Sequence, residues 1–526
     1  MSISRNPGAS RLFVAATVAL WALVLLVAAP VTGRSVPPLV AAASAGDVAA
    51  VRSMLEAGAS ADEAEPDGTT ALHWAARGEL AEVVRLLLDA GAAPDAANRY
   101  GVTPLLLASA HPSGGATRLL LEAGADANLA NPEGQTPLMN AARGGSTASL
   151  ATLLEHGAEV NRAEEWFGET ALMWAAAENH GDAVRLLAAH GGDLDARARI
   201  IELPDVKVDP ATMVTTALPR GGLTPLLLAA REGAVDATRA LIEAGTDLDV
   251  ADPDGTSPLV MAIINAHYEV ASVLSAGGAD PAVADAAGMG AVYALVDMRT
   301  LAPMINRPPP RPTGSVDTLT LLAELLERGA DPDLPLAKPL LARQHSFGDG
   351  QLAAGATALM RAAKSVDLPA MRLLVEHGAS PAAATGSGTT PAMFAARWSP
   401  RGGGTFEDSL AALELCLDAG ADIDAADGSG QTLLHIAASS NDELVRWLAD
   451  RGADLVARDK AGRTPLDVAL GVPGPAPAGR GGRGRGGPPE PGPVRESTVA
   501  LLENLMRERG LPIDAEAGAA AEGGGR

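Results

Sequence analysis

Apolar positions recur along this chain in a paired pattern. In residues 68–95, GTTALHWAARGELAEVVRLLLDAGAAPD, a short run with small residues on one face (Leu72, Ala75, Ala76) is followed by a polar turn and a richer apolar run, Val83 to Leu88. The pattern returns at 101–126, 134–159 and 168–193, and further copies begin at Gly222, Gly255, Gly355, Gly388, Gly430 and Gly462. The period is roughly 33 residues, which signals a stacked repeat array and not a compact globule. Each copy predicts two short helices. A Thr-Pro or Thr-Ala step supplies a capping hydroxyl and, with proline, a first-turn residue that needs no N–H. Gly91 is the predicted left-handed stop of the second helix. Two such helices cannot bury their apolar faces alone, whereas stacking on neighbours does so.

The repeated Thr103-Pro104-Leu105, Thr136-Pro137-Leu138, Thr224-Pro225-Leu226 and Thr464-Pro465-Leu466, the fuller Thr70-Ala71-Leu72-His73 and Thr432-Leu433-Leu434-His435, and the closing Gly-Ala-Asp resemble the ankyrin repeat family over most of residues 37–509. The resemblance implies an all-α repeat solenoid of helix-turn-helix ankyrin units joined by short β-hairpin-like loops. It also implies a protein-binding scaffold without catalysis. His73 and His435 would hold the turns of adjacent repeats together. Shared residues keep such a fold and varied residues meet the partner, so the fold alone names no function.

Interruptions divide the chain. Residues 1–33 read as a cleaved signal peptide or an N-terminal membrane anchor, with Arg5 and Arg11 before the uncharged run Leu12–Ala29. A buried core helix is the remaining reading of that run. Residues 37–66 form a divergent N-terminal capping repeat, and regular repeats fill 67–199. An inserted loop at 200–220 carries Pro204, Pro210 and Pro219. Repeats resume over 221–337, the last degraded, with Gly288-Met289-Gly290-Ala291 in place of Thr-Pro and a proline-rich insert at 305–312. A second loop at 338–353 precedes repeats over 354–460, which are themselves interrupted near 399–404. A C-terminal capping repeat spans 461–509 around a Gly/Pro/Arg-rich insert at 471–494, and 510–526 reads as a disordered tail. Whether the stack is continuous or hinged near 287–353 is left open by the pattern.

Charge and chemistry narrow the function. The net charge of −24 argues against nucleic acid and fits a basic or cationic partner better. Lys207, Lys338, Lys364 and Lys460 are the only lysines; with the Ala, Gly and Pro excess this points to a GC-rich, bacterial source. The single cysteine, Cys416, stands where sister repeats have leucine and reads as a core hydrophobe. Nine histidines are scattered without metal-ligand spacing, and His156 and His377 sit at helix ends. No catalytic, cofactor or metal residues are assigned. The Gly-x-Gly-x-x-Gly at Gly479, Gly481 and Gly484 follows no strand, and the surrounding Arg-Gly stretch lacks stacking aromatics, so it reads as a linker.

The candidate partner-binding residues lie where repeats differ. Arg99, Tyr100, Trp166 and Phe167 fall at hairpin tips; Arg143, Arg231, Arg397 and Trp398 fall at first-helix ends. The competing reading for the tip aromatics is packing against a neighbouring hairpin or loop, and Trp74 and Trp174 are expected mainly to pack between repeats. The expected function is a monomeric, exported scaffold, periplasmic or extracellular, binding an unidentified protein in its concave groove, with loops 200–221 and 299–316 at the rim. Two alternatives are a membrane-tethered spacer without a specific partner and an enzyme whose site is built from the inserted loops.

Overall fold

The structure, a computed structural model, describes residues 36–201, 221–300, 311–338, 352–398, 404–473 and 492–513. The leader, most of the inserts at 200–220, 338–353 and 471–494, most of the proline run, the Arg-Gly stretch and most of the tail lie outside these residues. Among the described residues, 24 helices follow one another in consecutive pairs, from Pro38–Ser44 with Val48–Glu56 to Pro465–Ala469 with Glu496–Glu508. None is long and apolar enough to cross a membrane.

First helices stack on first helices in an unbroken row, and second helices pack behind them. The row passes through the degraded repeat: Pro258–Ile264 touches Ala291–Arg299, which touches Ala358–Ser365. Alanines permit the close approach. Ala75, Ala76, Ala141, Ala142, Ala175 and Ala176 are all fully buried at the contact between successive first helices.

Local chemistry starts most units as their sequence predicts, although the Thr357 hydroxyl makes no cap bond. The hydroxyls of Thr103, Thr136, Thr170, Thr224, Ser257, Thr390 and Thr464 each accept from the N–H three residues on. Such a cap is worth about 1 kcal/mol. In the second unit His73 does more. Its Nδ1 accepts from the Thr70 N–H at 3.1 Å and the Thr70 hydroxyl at 2.8 Å, while Nε2–H donates to the Val102 carbonyl of the next hairpin at 2.9 Å. His435 repeats the arrangement with Thr432 and the Arg463 carbonyl. Gly91 takes φ +87° just beyond its helix, the left-handed stop that the sequence predicts. His156 and His377 bond back to the Thr152 and Leu373 carbonyls at 2.8 and 2.9 Å.

The degraded unit is held by other means. Its first helix, Ala291–Arg299, lacks a side-chain cap but buries every residue from Ala291 to Asp297. Arg361 of the next unit donates from Nε to Asp297 Oδ1 at 2.6 Å. Arg299 grips Asp367 through two bonds, at 2.6 and 2.9 Å. Thr313, in the connection to its second helix, reaches back to the preceding unit, bonding the Ala266 carbonyl and His267 Nδ1. Ion pairs and loop contacts thus replace the missing Thr-Pro start.

Cys416 is fully buried, and burial pushes its thiol up to about 12. The native protein is therefore expected to leave a thiol-reactive disulfide reagent unconsumed, and one equivalent is expected to react in denaturant. Rapid reaction of the folded chain would contradict this packing.

Candidate functional site

Consecutive hairpin tips are joined by their backbones. The Arg99 N–H donates to the Asp67 carbonyl at 2.8 Å, Glu165 N–H to Glu133 at 3.0 Å, and Arg199 N–H to Phe167 at 2.5 Å. Most tips close over four residues, as in Asn98 N–H to Val102 carbonyl or Asp252 N–H to Thr256 carbonyl. An Asn or Asp side chain braces the turn from inside: Asn98 Oδ1 accepts from Tyr100 and Val102 N–H, and Asp252 Oδ1 from Asp254 and Thr256 N–H.

The fifth unit differs. There the Glu164 N–H bonds the Glu169 carbonyl, one residue further on, so the tip is one residue longer. The brace lengthens to match. Glu164, with one more methylene than Asp, is buried and accepts from the N–H groups of Trp166 and Phe167 at 2.7 Å and of Glu169 at 3.0 Å. The enlarged tip presents Trp166 at 62% and Phe167 at 45% exposure. The next hairpin, whose Ala198 N–H bonds the Leu223 carbonyl, carries the 200–220 insert at its tip and exposes Ile200 beside this pair.

The remaining sites resolve as follows. Arg99 lies over Tyr100, 4.8 Å from the ring, and donates to its hydroxyl. Arg143 lies 5.3 Å over the indole of Trp174 in the next unit. Arg231 pairs with Glu232 at 2.8 Å. Arg397 pairs with Asp427 at 3.3 Å, and Trp398 packs 6.0 Å from Phe406, half-buried at a distant unit. Trp74 and Trp174 are half-buried as well, and each indole N–H is held by a hairpin carboxylate, Glu65 and Glu169 respectively, at 3.0 Å. Burial, and then the Glu164 carboxylate, hold Glu169 above the usual carboxylate range, against the opposing pull of Arg231 and the Trp174 N–H. Arg77, 5.5 Å over the Trp74 ring, belongs with Arg143 and Arg231 and was not singled out from sequence, although it occupies the same helical position.

The surface therefore offers exposed rings, guanidinium edges and carboxylates along neighbouring units. No group of three or more His, Cys, Asp or Glu that could hold a metal is present among the described residues.

The match to a known family agrees with this architecture. The family described as ankyrin repeats (3 copies) matches residues 39–131, 113–198, 206–285 and 405–472, more than half of the chain. A crystal structure of the human ASB11 ankyrin repeat domain matches with 25% sequence identity over 47% of this chain and 100% of that one, at a TM-score of 0.39. No curated protein matches. Helix pairs stacked through Thr-Pro starts and histidine-bridged hairpins, together with the family match, show that the chain belongs to the ankyrin repeat family.

Proposed function

We propose that this protein is a non-enzymatic scaffold that binds a protein partner along its hairpin tips and first-helix row, centred on the fifth unit. Ankyrin repeats are in general protein–protein interaction modules and are typically not catalytic. The observation that carries the site is the enlarged tip, where a buried Glu164 braces a turn whose product is two exposed aromatic side chains. Large aromatics in water cost free energy unless a partner covers them, and they are frequent anchors of interfaces.

The Trp166→Ala, Phe167→Ala double variant is expected to keep the thermal midpoint of the parent, since neither ring is in the core, and to lose at least about tenfold in affinity for the partner. Immobilised parent and variant, exposed to the same native cell extract, provide the comparison. A protein retained equally by both would move the site elsewhere, and retention by neither would favour the spacer reading.

Export is the second part of the proposal. It rests on the basic flank and uncharged run of residues 1–29. A reporter active only outside the cytoplasm, fused after residue 40, should be active with this leader. Activity confined to a cytoplasmic reporter would refute export.

A further inference from the structure

The seventh position of the first helices forms a row along the stack: Arg77, Ala110, Arg143, Ala177, Arg231, Ile264, Asp297, Lys364 and Arg397. In a chain of net charge −24 this row carries five cations and one acid, and that acid, Asp297, is occupied by Arg361. The first three cations fall in alternate units, the second, fourth and sixth. Arg77 and Arg143 have no carboxylate partner among the described residues; each instead lies over an indole, 5.5 and 5.3 Å from the ring, whose N–H is tied to a glutamate. A guanidinium carries five N–H donors in a fixed fork, and where no carboxylate of the chain takes them those donors suit a carboxylate of a partner.

Cations at helix C-termini often serve only the helix dipole. Two of these helix ends are already served. The ring N–H of His180 donates to the Arg143 carbonyl and that of His267 to the Arg231 carbonyl, each at 3.0 Å. The guanidinium groups are thus not needed to satisfy those carbonyls.

We infer that the first-helix row of units two to six binds an extended acidic peptide segment of the partner, with Arg77, Arg143 and Arg231 receiving its carboxylates and the Trp74 and Trp174 rings lying beneath its side chains. This deepens the proposed scaffold function and rests on it. The overall acidity points the other way, to a cationic partner, but exposed charges are felt over only about 8–10 Å at physiological salt, so the local row decides. Helix packing places successive units roughly 10 Å apart, so these arginines recur about every 20 Å, or about six residues of extended chain.

The test uses the full-length chain and labelled peptides of about 15 residues, long enough to span the three arginines at ~3.3 Å per residue. One alternates Glu and Ala, a second alternates Lys and Ala, and a single-stranded oligonucleotide supplies a non-peptide polyanion. Binding is read by fluorescence anisotropy. The Glu peptide is expected to bind the parent, to lose at least about tenfold in affinity with Arg77→Gln, Arg143→Gln, Arg231→Gln, and to keep most of it with the three changed to Lys. A control triple on the second helices, Arg85→Gln, Arg118→Gln, Arg239→Gln, matches the charge change and should bind like the parent. Circular dichroism melting confirms that each variant is folded. Equal loss in both Gln triples, preference for the Lys peptide, or tighter binding of the oligonucleotide would each overturn the inference. So would no binding of the Glu peptide; if a native partner were still lost with the Trp166, Phe167 variant, the scaffold reading would stand and only the acidic-peptide chemistry would fall.

Discussion

Asp297→Ala should lower stability by about 3 kcal/mol and divide the unfolding transition in two. Removing one partner of a buried ion pair leaves the other charge uncompensated, at a cost of about 3–5 kcal/mol. Here the two side chains are 12% and 13% exposed, and Arg361 keeps bonds to the Thr300 carbonyl and Ser365, which places the effect near the lower end. The position matters as much as the size. In a stacked array, stability is close to a sum of unit and interface contributions, and a weakened interface uncouples its two sides. Asp297–Arg361 joins the degraded unit, whose first helix has no side-chain cap, to its neighbour, whose first helix also has none. Trp74, Trp166 and Trp174 report on one side and Trp398 and Trp447 on the other, so urea unfolding followed by fluorescence and by circular dichroism would separate the halves. The double change Asp297→Leu, Arg361→Met should recover most of the loss, because a well-packed apolar pair often equals an ion pair. A single, unshifted transition for Asp297→Ala would show that the clasp contributes nothing.

His73→Ala should cost about 2–4 kcal/mol, and His73→Met only about 1. Alanine leaves a cavity, strips the Thr70 N–H of the imidazole acceptor and leaves the Val102 carbonyl with the Asn98 N–H alone. Methionine has a precedent in the chain itself. Met139 and Met173 occupy the same place in units four and five, buried, with Sδ facing the N–H of Thr136 and Thr170 at 3.5 Å. The histidine also adds a pH dependence. Nδ1 accepts from the Thr70 N–H, so the folded site disfavours a proton there, and burial is the main cause holding His73 below its ordinary 6.5. His267, half-buried and bonded through both nitrogens, is lowered too, chiefly by burial. The unfolded chain therefore binds more protons, and these two groups stabilise the fold fully above pH 6.5 and progressively less as pH falls below it. The urea midpoint measured from pH 7.5 to 5 should fall on acidification, and less steeply in His73→Met. An identical slope in parent and variant would contradict the assignment.

These two sites mark how far the sequence could be read. The histidine bridge, the Thr-Pro starts and the core role of Cys416 repeat within one period, so they were legible from local spacing. The Asp297–Arg361 clasp spans 64 residues across two inserts, whose lengths break the frame that would have aligned its partners. The same limit hid the Arg143–Trp174 stack, which joins two units, and left Trp174 as a packing residue. The Glu164 brace left a visible trace, a glutamate where most sister tips have Asn or Asp and one extra residue before the glycine. That trace is informative only once the turn's hydrogen bonds are known. Trp398 reads from sequence as a binding aromatic, whereas its contact with Phe406 gives it a packing role.

The most direct test of the account is site-specific photo-crosslinking in the native cell. A photoreactive phenylalanine analogue at position 167 is compared with the same analogue at Arg118, on the exposed face of a second helix. The account predicts a discrete protein adduct from position 167 and none from 118. Adducts from position 118 alone would place the interaction on the opposite side of the stack and contradict the proposed binding surface.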